Sequence, residues 1–258
     1  MGKKYELTSE TIKVYGKTLH RIKALRDIGL TVKTGDLGGC VESENNLSLY
    51  GNAWIYNDAK VFGNATVSGN AGVFDDATVS GNATVSGNAG VRGNATVSGN
   101  AGVRGNAEVS GFATVSGNAA VSGNAKVSGD AAVWGNAGVF DDAAVSGDAA
   151  VSGNATVFGN AAVSGNATVS GNAKVYGDAQ LSKQTDVLTI SPIGSRNDTT
   201  TFYKANGGKI FVKCGCKNTD IDAWLDMVKS THGDNKHAKA YRLAAQIARL
   251  QILEGEEE

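Results

Sequence analysis

The sequence predicts a mainly β protein: a single-stranded parallel β-helix of about 7–8 coils, with an N-terminal β cap and a small C-terminal α+β domain. Three observations carry this prediction. An aliphatic residue recurs at every sixth position from Leu49 and Ile55 through Val61, Val67 and Val73 to Val175 and Leu181. The phrase around it, typified by Ala83-Thr84-Val85-Ser86-Gly87-Asn88, is nearly invariant. Glycine is abundant, at 35 of 258 residues, while proline occurs once. Self-similarity at a short fixed period is the mark of a repeat architecture, and a six-residue period points to a β-helix.

The geometry follows from one unit. In an extended segment side chains alternate, so Ala83 and Val85 share the buried face while Thr84 and Ser86 share the outer one. Gly87 and Asn88 are the residue types that most readily take positive φ, so each unit ends in a tight corner. Three flat sides joined by three such corners close a triangle of 18 residues, and equivalent residues of successive coils stack at about 4.8 Å. The inward residues are almost all Ala and Val, which makes a narrow, full interior with no room for an internal ligand. Function is therefore expected on the outside, at the ends or between subunits.

Residues 1–46 are expected to form the cap, with Tyr15-Gly16-Lys17 as a hairpin turn. A first coil left bare would offer an open strand edge, so a cap has a physical job there. The run Val32-Lys33-Thr34-Gly35-Asp36-Leu37-Gly38-Gly39-Cys40-Val41-Glu42, leading into Gly51-Asn52-Ala53-Trp54-Ile55-Tyr56, resembles the corresponding segment of YdcK-like hexapeptide-repeat proteins. The resemblance implies that the β-helix, placed at 47–182, is left-handed. It also implies a phage or prophage setting.

Composition narrows the class. Net charge is −1, so no overall field recruits nucleic acid or an acidic membrane. The first residues lack an apolar signal region, and no segment reaches membrane-spanning length. Three cysteines, two of them one residue apart, do not read as a disulfide framework. The expected location is the cytoplasm, that of the host cell if the chain is phage-encoded, or the virion.

Sorting the outward residues by the 18-residue period places Phe140, Phe158 and Tyr176 on consecutive coils of one face and Trp134 on another. Exposed aromatics suit a subunit interface or a sugar platform, and stacked ones also stabilise a sheet. Asp58, Asp75 and Asp76 gather at one corner of neighbouring coils and have the oxygen chemistry of a calcium site, yet Asp is an ordinary corner residue. No cofactor and no metal are expected. Acyltransferases built on this fold use a histidine base, but His20, His232 and His237 all lie outside the repeats, so no catalytic residue is assigned.

After a linker at Ser182-Lys183-Gln184-Thr185, residues 186–258 read as a separate α+β module. Strands are expected at Asp186–Ile190, Thr199–Lys204 and Lys209–Cys214, with Asn206-Gly207-Gly208 as a hairpin signal. Asp220 can cap a helix ending at Gly233, and Asp234 or Asn235 a last helix to about Leu253. Residues 254–258 read as a solvated acidic tail. Ser195, Arg196, Asn197 and Thr199 crowd a glycine-containing loop that suits a phosphate or carboxylate. Cys214 and Cys216 with His232 have zinc-type chemistry, but strand parity puts both thiols on an apolar face and favours buried free cysteines.

The reading is a non-enzymatic scaffold or binding protein. Its rod self-associates, with a trimer favoured, and displays C-terminal modules to a host protein or a small phosphorylated ligand. The alternatives are a protein that sequesters a nucleotide-like ligand against the host, and an acyltransferase-like enzyme.

Overall fold

The computed structural model describes residues 2–254; the acidic tail at 255–258 lies outside the described residues. The repeats form a parallel β-solenoid of about eight turns, built from three sheets of two- to three-residue rungs. Each rung pairs with the rung 18 residues on, as Val85 with Val103 and Val97 with Val115. The interior is a continuous column of Ala and Val, all but sealed from solvent. At the corners the glycines take positive φ: Gly117 has φ 70°, and a Cβ there would lie 2.9 Å from the Gly135 nitrogen of the next coil. Both the dihedral and the stacking therefore require glycine.

The first turn departs from the strict period. Val41 pairs with Val61 and Leu47 with Val67, each 20 residues apart, whereas Ile55 pairs with Val73 at 18. Leu47 is fully buried, while Leu49 and Tyr50 are exposed. Leu49 is therefore not the first inward residue. Leu49-Tyr50 is a two-residue insertion between the rung at Leu47 and the corner at Gly51-Asn52, and the solenoid starts earlier, at Val41.

The N-terminal cap is a hairpin of β1 (Tyr5–Val14) and β2 (Lys17–Ala24), turning at Tyr15 and Gly16 with φ of 48° and 79°. Strand β3 (Leu37–Val41) pairs antiparallel with β2 on one edge and parallel with the Lys60–Val61 rung on the other. The cap thus continues one solenoid sheet and leaves no bare first coil.

The C-terminal region is a second cap and not a detached module. Its antiparallel sheet has four strands, Val187–Ile193, Asp198–Ala205, Lys209–Cys214 and Lys217–Asp220. The last of these was not foreseen. In the second strand Tyr203 enters the rod core, while Phe202 enters a separate core beneath the helices. Ala205 bridges to Ala179, and the Asn206 amide donates to the Asp178 carbonyl at 3.3 Å. The expected linker is a tight turn closed by buried Asp186, whose Oδ2 accepts from the Ser182 and Lys183 amides at 2.6 and 2.8 Å. Helix α1 (Ile221–His232) is capped by Asp220 and stops at Gly233. Helix α2 (Lys236–Arg249) is capped by Asn235 and buries Ala238, Tyr241, Ala245 and Ala248.

Candidate functional site

A cleft of about 470 Å³ opens between the C-terminal sheet and α1. Its floor is apolar. Trp224 meets Tyr241 edge to face at 5.2 Å and Phe202 at 5.5 Å, and Val228 and half-exposed Met227 continue the surface. Helical spacing explains why Trp224, Met227, Val228 and Thr231 share one face of α1. Tyr241 reaches the cleft from α2, and its hydroxyl occupies the space that a Cβ at Gly194 would need.

The polar groups lie at the edges. The Cys214 thiol accepts from Thr200 Oγ1 at 3.3 Å and lies 3.9 Å from the Tyr241 hydroxyl. Burial, reinforced by the neighbouring Cys214, pushes the Tyr241 phenol up to about 12, so it stays a neutral donor at physiological pH. The His232 ring stands 5.9 Å from Tyr241 and 6.0 Å from His237. Arg196 and Lys217 line the rim and make no ion pair among the described residues. Arg196 lies over Gly215, with Nη1 3.6 Å from where a Cβ would stand.

The residues singled out in the 195–199 loop divide. Ser195 and Arg196 line the cleft. Asn197, at φ 50°, belongs to the turn itself, its amide directed at the Gly194 carbonyl. Thr199 donates to Ser191 Oγ at 2.9 Å and faces a second cavity on the other side of the strand. Cys214 and Cys216 both reach the cleft but do not share a strand face. The strand ends at Cys214, Gly215 turns at φ 55°, and Cys216 is exposed in the hairpin turn; the buried cysteine is Cys40. Sequence reasoning missed the cleft role of Trp224, Met227 and Lys217. The usable signal was the spacing of Trp224, Met227 and Val228 on one helical face.

Among the described residues, no group of three or more His, Cys, Asp or Glu side chains is gathered to hold a metal ion. The corner carboxylates are engaged by the protein. Asp58 pairs with Arg21 at 3.2 Å and Asp76 with Lys60 at 3.6 Å, while Asp75 accepts from Asn57 Nδ2 and the Gly93 amide.

The aromatic column is likewise divided. The Phe140 ring folds back over Gly138, filling the space a Cβ would need. Phe158 and Tyr176 pack at 5.5 Å, and Lys213 of the C-terminal sheet sits 4.9 Å above the Tyr176 ring. Tyr176 is thus covered within its own chain, whereas Phe158 and Trp134 stay exposed.

Three parallel sheets wound through about eight turns define a β-solenoid repeat protein. Within that class the repeats are similar to those of the YdcK type: the family model described as YdcK beta solenoid repeat matches residues 77–93, 149–165 and 161–177. No curated protein matches the chain. No helix among the described residues is long and apolar enough to cross a membrane.

Proposed function

We propose that this is a non-enzymatic binding protein, in which a rigid rod carries a C-terminal module that holds a small anionic ligand with an apolar body. The observation behind this reading is the cleft itself: an apolar floor of Trp224, Val228 and Tyr241 under a rim with two cations, Arg196 and Lys217, that make no ion pair among the described residues, against one acid, Asp198. Such a site buries a flat apolar group while a guanidinium fork takes a phosphate or carboxylate. A phosphorylated, nucleotide-like ligand fits this description. Self-association of the rod is the second reading, favoured by exposed Trp134 and Phe158. Assembly as a trimer and a phage or prophage setting extend it.

Native mass spectrometry of the protein purified from cells tests both. A few hundred added daltons per protomer, lost in Arg196→Ala with an unchanged circular dichroism spectrum, supports the ligand reading. No added mass on the wild-type protein, or the same added mass on both proteins, overturns it. The protomer count is read from the same spectrum, and a monomer overturns self-association.

A further inference from the structure

The corners of the solenoid carry two hydrogen-bonded asparagine ladders, and the way each one ends differs. In the first, each amide donates to the carbonyl oxygen of the next from Asn52 through Asn70, Asn88, Asn106 and Asn124. That run stops at Asp142, to which Asn124 donates at 2.9 Å. A last pair on the same corner repeats the pattern, Asn160 donating to Asp178 at 3.1 Å. A carboxylate accepts and cannot donate, so chemistry fixes the direction of both runs. Each terminates on a negative acceptor.

The second ladder runs the same way through Asn64, Asn82, Asn100, Asn118, Asn136, Asn154 and Asn172, at 2.8–3.0 Å throughout. It has no terminal carboxylate. Asn172 accepts from Asn154, and its own amide nitrogen has no acceptor among the described residues. Aligned amides polarise one another, so the unanswered donor end favours negative charge.

Asn172 is exposed, but the space beside it is walled. It lines a cavity of about 290 Å³ where the rod meets the C-terminal cap, together with Lys174 of the last coil and Lys213 of the C-terminal sheet. Neither lysine makes an ion pair among the described residues, and Lys213 is held in place over the Tyr176 ring. Thr201 belongs to the same wall, its hydroxyl accepting from the Lys174 amide at 3.1 Å. The one acid in the lining, Asp198, is engaged by the Thr199 amide at 2.7 Å.

We infer that this junction is a binding site for a phosphate-type oxyanion, which completes the second ladder as Asp142 and Asp178 complete the first. The anion accepts from the Asn172 amide and lies between the Lys174 and Lys213 ammoniums. Because those groups come from the rod and from its cap, occupancy ties the two together. The site lies beside the cleft that holds Arg196 and shares Asp198 and Gly215 with its lining, but Asn172, Lys174 and Lys213 belong to it alone.

The test uses the full chain and inorganic phosphate, with chloride at equal ionic strength as the reference. Phosphate should raise the wild-type melting temperature saturably, beyond any effect of chloride. Asn172→Asp gives the ladder an internal acceptor, so its melting temperature without phosphate should match wild type while the phosphate-dependent rise disappears. Lys213→Met should weaken the apparent phosphate affinity about tenfold or more. A wild-type response no larger than that to chloride overturns the inference. So does an unchanged phosphate response in the Asn172→Asp protein.

Discussion

Lys4 is among the most deeply buried side chains in the molecule, at 1% exposure, and its ammonium donates to the Ser48 and Ala53 carbonyls at 3.0 and 2.6 Å. These two carbonyls bracket the Leu49-Tyr50 insertion, so the lysine supplies donors where the chain leaves the regular corner. Burial, with Arg26 adding to it, pulls the Lys4 pKa down to about 8 from an ordinary 10.5. Between those values the unfolded chain binds more protons than the folded one, so stability rises with pH across that window. The tyrosines act in the opposite sense. Burial holds Tyr203 at about 12 and Tyr5 higher still, so they reverse the slope only above about pH 10, where unfolded tyrosines ionise. Burial pushes the Cys40 thiol up, which opposes Lys4 above about pH 9, so we expect the urea midpoint to climb from about pH 8 to about pH 9 and Lys4→Met to flatten that climb. A wild-type midpoint that falls across this interval contradicts the assignment. The sequence offers no signal for Lys4, because its burial is created by residues more than forty positions away.

Among the elements, the first turn separates what a period can say from what it cannot. Leu49 satisfies the six-residue spacing and is exposed, while Leu47 breaks it and is sealed in the core. The backbone explains this: Leu47 bridges to Val67, and the two residues that follow Ser48 are extruded before the Gly51 corner. Leu47→Ala should therefore cost about 2–5 kcal/mol, and Leu49→Ala no more than about 0.5 kcal/mol. Thermal or urea unfolding of the two variants measures both, and equal losses would refute the shifted register. The rungs from Ile55 to Leu181 were legible because each repeats one local solution, an inward Ala and Val followed by a corner. The helices of the C-terminal region were also legible, since Asp220, Gly233 and Asn235 mark their ends directly. The strand at Lys217–Asp220 was not. It is short and polar, and only its pairing with Lys209–Cys214 makes it a strand.

In the whole molecule, both ends of the solenoid are closed by antiparallel structure from the flanking sequence. Strand β3 pairs with the Lys60–Val61 rung at one end, and Tyr203 and Ala205 cover the last coil at the other. An uncovered coil presents unpaired amides and carbonyls together with the ends of the Ala and Val column. A chain ending at residue 182 should accordingly associate in a concentration-dependent way, seen as growing species in sedimentation velocity where the full chain is unchanged. A truncated chain that stays monomeric across the same range would show that the C-terminal region is not needed as a cap.

The repeat sequence by itself determined the solenoid, its triangular coil and its full interior, because each of these follows from alternation and corner chemistry within six residues. The tertiary structure decided where the first turn begins, that the C-terminal region is a cap, and which polar groups meet. Arg196 and Trp224 share one cleft, and Asn172 and Lys213 line one cavity, only because the C-terminal sheet packs on the last coil and under α1 and α2. Contacts between residues far apart in the chain are set by packing, and no local period encodes them.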